Sequence, residues 1–119
     1  MIRTALALLI LTTPAHAYLT QNSLRVQGDA TAFEVQFSPG MGAANAWCAA
    51  GDYAVRYLGL PGTAKIWRMS EPPRGVGQGV RFATSGAGAA SKSGLIRLNE
   101  QDASLTAGAA QALCWGLND

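Results

Sequence analysis

Arginine side chains are concentrated in the middle of the chain, around a short segment with two adjacent prolines. An arginine fork can hold a carboxylate or a phosphate through two parallel hydrogen bonds, and an indole ring offers a flat apolar surface. If this segment serves recognition, we expect its arginines to share one surface and to bind an anionic partner. The alternative is a rigid connector with solvated arginines. The candidate partner-binding residues are Trp67, Arg68, Arg74 and Arg81.

The charge pattern favours the same part of the chain. Residues 53–99 carry seven basic side chains and one acidic side chain, whereas the segments on either side are acidic. A local excess of positive charge fits an anionic partner, although scattered basic side chains also serve solubility. The net charge of the whole chain is only +2, so we expect no nucleic acid partner.

Thiol chemistry depends on Cys48 and Cys114, the two cysteines of the chain. A nucleophilic cysteine needs a base, usually a histidine, and the one histidine is His16. His16 lies in a predicted leader that is removed, so we predict no cysteine-based catalytic site and no zinc site. We instead predict a disulfide between Cys48 and Cys114; two buried free thiols are the alternative.

Carboxylates are the remaining candidates for catalysis, and no spacing singles out a pair of them. An enzyme with carboxylate-only chemistry is therefore the least favoured function, and we predict neither catalytic residues nor a cofactor. The carboxylates considered are Asp29, Glu34, Asp52, Glu71, Glu100 and Asp102.

Residues 1–17 have the pattern of a secretory signal peptide. Arg3 precedes an apolar run at 5–11, and Ala15-His16-Ala17 is a small-x-small cleavage site. The apolar run is shorter than the roughly 20 residues that cross a bilayer, which argues against a membrane anchor. We expect cleavage after Ala17, a mature domain of residues 18–119 without a membrane span, and a periplasmic or secreted location.

Hydrophobic periodicity predicts one small α+β domain, with two helices packed on a short antiparallel sheet and one disulfide. Glycine and other small residues at 86–94, with no large apolar side chain to bury, predict a mobile loop. Predicted strands cover residues 24–27, 32–37, 63–69, 77–84 and 95–98, and predicted helices cover 43–58 and a segment from 102 or 104 to 115.

These observations leave three function classes open. The leading one is a small exported binding or accessory module of the cell envelope, which engages an anionic or protein partner through the basic segment. The second is an inhibitor-like protein that inserts its Pro72-Pro73-Arg74 loop into a cleft of its partner, since a rigid loop loses little entropy on docking. The third is the carboxylate-only enzyme.

Overall fold

The computed structural model describes residues 17–97 and 99–116. Most of the predicted signal peptide, residues 1–16, and Leu98 lie outside the described residues. The predicted α+β domain is confirmed, with six strands and two helices. In chain order the elements are β1 (Tyr18–Leu19), β2 (Arg25–Gly28), β3 (Ala32–Val35), α1 (Ala43–Asp52), a π-helical turn (Tyr53–Tyr57), β4 (Lys65–Arg68), β5 (Val80–Ala83), β6 (Ser104–Thr106) and α2 (Ala107–Gly116).

The strands form one antiparallel sheet in the order β1-β2-β3-β5-β4-β6. The turn between β2 and β3 requires glycine at position 28, whose φ is +137° and where a Cβ would lie 2.3 Å from the carbonyl oxygen of Ala32. β4 pairs with β5 on one side and with β6 on the other. The sheet therefore places the two strands of the basic segment side by side.

The inner face of the sheet packs against the helices and carries the core. Strand alternation puts apolar side chains on this face, as the sequence predicts. Register confirms the arrangement, because Val35 lies opposite Val80 and Phe33 lies opposite Phe82. The fully buried indole of Trp47 from α1 packs edge-on against Phe82, with 4.8 Å between ring centroids.

The two helices are in close contact at Gly51. A Cβ at this position would lie 2.3 Å from the backbone nitrogen of Gln111 and 2.8 Å from the carbonyl oxygen of Ala107, so only glycine fits. The predicted disulfide is present and joins Cys48 of α1 to Cys114 of α2. Glycine and the disulfide together hold α1 directly against α2.

Asp52 is fully buried next to this contact, and its carboxylate is used in structure. It accepts hydrogen bonds from the backbone and side chain of Gln21 at 3.1 Å each and from Nε2 of Gln111 at 3.3 Å. Nη1 of Arg56 lies 3.7 Å away. Asp52 thereby connects α1, α2 and the loop after β1.

The C-terminal part of the chain differs from the prediction. Residues 95–97 form no strand, and Ile96 is fully exposed. The second helix begins at Ala107, because Ser104–Thr106 pair with β4 as a strand instead of starting the helix. Backbone pairing at an open sheet edge overrides the weak helix preference of this serine- and threonine-containing segment.

Replacing Gly51 with alanine should lower the free energy of unfolding by about 1 to 3 kcal/mol, because the new methyl group overlaps the backbone of α2. An alanine in an unobstructed helix would instead stabilise it by about 1 kcal/mol. Gly62→Ala is the matched control, since its Cβ would make an ordinary contact of 3.6 Å. Urea denaturation measures both variants, and an unchanged or increased stability of Gly51→Ala would contradict the close helix contact.

Candidate binding cavity

Arg68 is the most unusual side chain of the inner face. It lies opposite Phe82 in the sheet, and alternation puts it on the same face as Ile66. Only 2% of its surface is exposed. The side chain therefore points into the protein rather than into solvent.

The guanidinium of Arg68 is only partly satisfied by the protein. Nε donates to the carbonyl of Ser70 at 2.7 Å, and Nη1 donates to the carbonyl of Ser93 at 3.1 Å. Nη2 has no acceptor among the described residues, and no carboxylate within residues 17–97 and 99–116 forms an ion pair with this arginine. Since a guanidinium has five N–H donors, part of its hydrogen-bonding capacity is unused.

Burial lowers the pKa of Arg68 from its ordinary value. The carboxylate of Glu71 acts in the opposite direction, and the charge of Arg74 lowers the pKa further. Arginine nevertheless remains protonated in proteins. Arg68 is thus a buried cation for which the described protein supplies no direct counter-ion.

Two serine-carboxylate contacts hold the loops around Arg68. Glu71 accepts hydrogen bonds from the backbone and the hydroxyl of Ser91, at 2.8 and 2.9 Å. Glu100 accepts from the backbone of Ser93 at 3.0 Å and also from its hydroxyl. Ser93 is fully buried, although it belongs to the segment 86–94 that the sequence predicts to be a mobile loop.

A cavity of about 720 Å³ opens beside Arg68. Arg68 and Arg74 both line it, and its described lining contains no carboxylate. Val76 is fully exposed there and Phe37 is 44% exposed, although Phe37 continues the alternation of the buried residues Phe33 and Val35. The larger apolar side chains of the wall are Phe37, Met41, Pro72, Pro73, Val76 and Val80.

Arg74 forms part of the rim of this cavity. Its Nη2 donates to the carbonyl of Met41 at 3.1 Å, and its Nη1 lies 3.3 Å from the carbonyl of Gln78. The guanidinium also lies over the ring of Phe37, 5.0 Å from its centroid. The loop of Pro72, Pro73 and Arg74 is consequently folded against the body of the protein.

The first turn of α1 also faces the cavity, through Gly42 and Ala43. The first N–H groups of a helix have no partner within the helix, and Gly42, at the N-cap, has no side chain to accept from them. The side-chain oxygen Oδ1 of Asn45 accepts the N–H of Gly42, at 2.8 Å. The helix start adds partial positive charge to a cavity that already contains two arginines.

The four candidate residues from the sequence are divided between the two faces of the sheet. Arg68 and Arg74 come together at the cavity, but Arg81 and Trp67 lie on the outer face. The expectation that the three arginines share one surface is wrong, because Arg68 aligns with Phe82 rather than with Arg81. Arg81 instead borders a second, smaller depression of about 430 Å³, which also contains Glu34.

Trp67 is half-buried and does not contribute to the cavity. The backbone of Gly86 lies against its indole ring, so that a Cβ at position 86 would be 2.9 Å from Cε2 and Nε1. The flat surface predicted for this ring is therefore partly covered by the loop after β5.

Sequence reasoning missed several residues of the cavity. Phe37 ends the predicted strand of residues 32–37, whose alternation predicts a buried side chain, while Met41 and Gly42 stand among glycines that give no signal of a site. Gly94 belongs to the predicted mobile loop of residues 86–94. Each depends on contacts between segments far apart in the chain, which periodicity does not report.

The arrangement can bind an anion. A buried cation with free donors, a second cation and a helix start all favour negative charge. In the part of the chain that the structure describes, no three His, Cys, Asp or Glu side chains come together as metal ligands. Nor does any helix within that part have the length and apolar content to cross a bilayer.

Comparison with protein-family models, with curated proteins and with solved structures finds no match to this chain. The cavity and its residues are thus the basis for a functional assignment.

The Ser93 contact makes a prediction about acid stability. Its hydroxyl and, less strongly, its backbone N–H lower the pKa of Glu100 from the ordinary value of 4.5. A carboxylate with a lowered pKa stabilises the fold above its ordinary pKa, and this stabilisation is lost as pH falls through the folded-state value. Below about pH 4.5 the wild-type protein should therefore lose stability more steeply than Glu100→Gln, as measured by urea denaturation at each pH.

A second variant tests whether the Ser93 hydroxyl causes the steeper acid dependence of the wild-type stability. Ser93→Ala, introduced into Glu100→Gln, should add no further change to the acid slope, since the titrating partner of the hydroxyl is already absent. Equal acid slopes of wild type and Glu100→Gln would contradict the assignment.

Proposed function

We propose that this protein is an exported binding or accessory module of the cell envelope, in the periplasm or outside the cell, that holds an anionic group in the cavity beside Arg68. The observation that carries the proposal is an arginine that is 2% exposed, with free N–H donors and no ion-pair partner among the described residues. An anion in the cavity would supply the missing acceptor and counter-charge.

Burying a charge without a partner is costly, so a purely structural role for Arg68 is a poor explanation. An apolar side chain could fill this position on the inner face at a smaller desolvation cost. A binding role accounts for the cost, because functional sites commonly retain groups that do not optimise stability. The apolar walls and the absence of a carboxylate from the described lining support the same conclusion.

The location is proposed on two grounds. Residues 1–17 have the pattern of a signal peptide, and the Cys48–Cys114 disulfide is consistent with an oxidising compartment.

The inhibitor-like alternative has less support. It requires the Pro72-Pro73-Arg74 loop to protrude into a cleft of a partner, whereas Arg74 donates to the carbonyl of Met41 and covers Phe37. We therefore assign this loop to the cavity wall.

The proposal is tested by measuring thermal unfolding and calorimetric binding with the disulfide-bonded protein of residues 18–119. The probes are the sodium salts of chloride, sulfate, phosphate, acetate and citrate. At least one anion should stabilise the wild type in a saturable manner, by about 2.7 kcal/mol at a hundredfold excess over its Kd. Arg68→Met should abolish this gain, because it removes the free donors and the charge.

Arg81→Met is the matched control, since it makes the same change on the opposite face of the sheet. It should retain the anion-dependent gain. Arg74→Met tests the rim independently and should weaken binding through the loss of its charge, in case Arg68→Met fails to fold. The proposal is wrong if no anion gives a saturable gain, or if the gain is the same in all three variants.

A further inference from the structure

The cavity is much larger than its charged part requires. Its volume of about 720 Å³ lies in the range of pockets that enclose small organic ligands. An inorganic anion would occupy only the region next to the guanidinium and would leave the apolar wall in contact with water. The size and the wall together favour a ligand with an apolar body.

The donors available to the head group are limited. Arg68 offers Nη2 and the second N–H of Nη1, which lie in one plane, as a carboxylate requires. Arg74 contributes charge, but its Nη1 and Nη2 already have the carbonyls of Gln78 and Met41 as acceptors. One planar set of donors fits one carboxylate better than the several oxygens of a phosphate or a citrate, whose remaining charge would face apolar side chains.

The apolar side of the cavity is incompletely covered in the protein. Phe37 is 44% exposed and Val76 is fully exposed, and both line the cavity. Pro72 and Pro73 also line the cavity, and their rigid rings lose little entropy on binding. An alkyl or aryl group beside the carboxylate would cover these side chains.

From these observations we infer that the ligand is an organic monocarboxylate, with a single carboxylate on Arg68 and an alkyl or aryl body against Phe37 and Val76. This inference rests on the proposed function and specifies its ligand class. The same chemistry is present in a free carboxylic acid and in the C-terminal residue of an apolar peptide.

Isothermal titration calorimetry of the disulfide-bonded protein tests the inference with phenylpropionate, decanoate and the dipeptide N-acetyl-Ala-Phe. Each acid is compared with its neutral amide, and inorganic phosphate and citrate serve as anions without an apolar body. The acids should bind at least about tenfold more tightly than their amides, since the amide loses a charge-assisted pair of hydrogen bonds. Tighter binding of the dipeptide assigns a peptide terminus, and tighter binding of the other two assigns a free acid; either supports the inference.

Variants separate the two ends of the ligand. Arg68→Met should weaken binding of phenylpropionate by roughly tenfold or more, and Arg81→Met should leave it unchanged. Phe37→Ala should weaken binding of phenylpropionate severalfold but leave binding of acetate unchanged, because acetate has no body to contact the ring. Phe37 is partly exposed, so this variant is expected to fold.

The outcomes distinguish this inference from the proposed function. Arg68-dependent binding of phosphate or citrate that is tighter than binding of all three acids would overturn the monocarboxylate assignment and leave the anion-binding function intact. Equal binding of acids and amides would overturn the assignment of the carboxylate to Arg68. Binding of none of these anions would overturn both proposals.

Discussion

The close contact between the two helices determines where the other elements of this small domain can lie. Gly51 allows the backbone of α1 to touch that of α2, and the adjacent disulfide joins the same two helices covalently. The buried carboxylate of Asp52 connects both helices to the segment after β1. With α1 fixed in this way, its buried face covers the inner face of the sheet and its first turn lies at the cavity.

Arg68 illustrates how binding capacity and stability compete in such a fold. Its position on the inner face suits an apolar side chain, yet a cation is buried there with part of its donors unused. The surrounding loops compensate in part, because the carbonyls of Ser70 and Ser93 accept from it. Ser93 is held in turn by Glu100, and its carbonyl also accepts the indole N–H of Trp47 at 2.9 Å. The loop from 86 to 94, which looks featureless in the sequence, thus positions the cation.

The sequence predicts the parts of the structure that depend on local pattern. Alternation correctly places Phe33, Val35 and Phe82 on the buried face, and two cysteines have one possible pairing. It does not predict β6, because that strand exists only through pairing with β4, which is distant in the chain.

The candidate site was less predictable for the same reason. Arg68 and Trp67 are neighbours on one strand, so their side chains face opposite sides of the sheet. They therefore cannot both belong to one binding surface. Ile66 is fully buried on the inner face of the sheet, and Arg68, two residues later on the same strand, faces the same side. Which side faces the helices is decided by the pairing register, and the register also separates Arg68 from Arg81. Arg68, Arg74 and the start of α1 come together at the cavity only through tertiary contacts.

The central claim is that the guanidinium of Arg68 is a ligand-binding group rather than a structural one. The most direct measurement is an NMR titration of the disulfide-bonded protein, with isotope-labelled arginine, that follows the side-chain signals during addition of phenylpropionate. We expect saturable shifts of the Arg68 Nε and Nη signals at the same midpoint as calorimetric binding, with the Arg81 signals unchanged. Unchanged Arg68 signals at saturating ligand, or equal shifts of Arg68 and Arg81, would contradict the central claim.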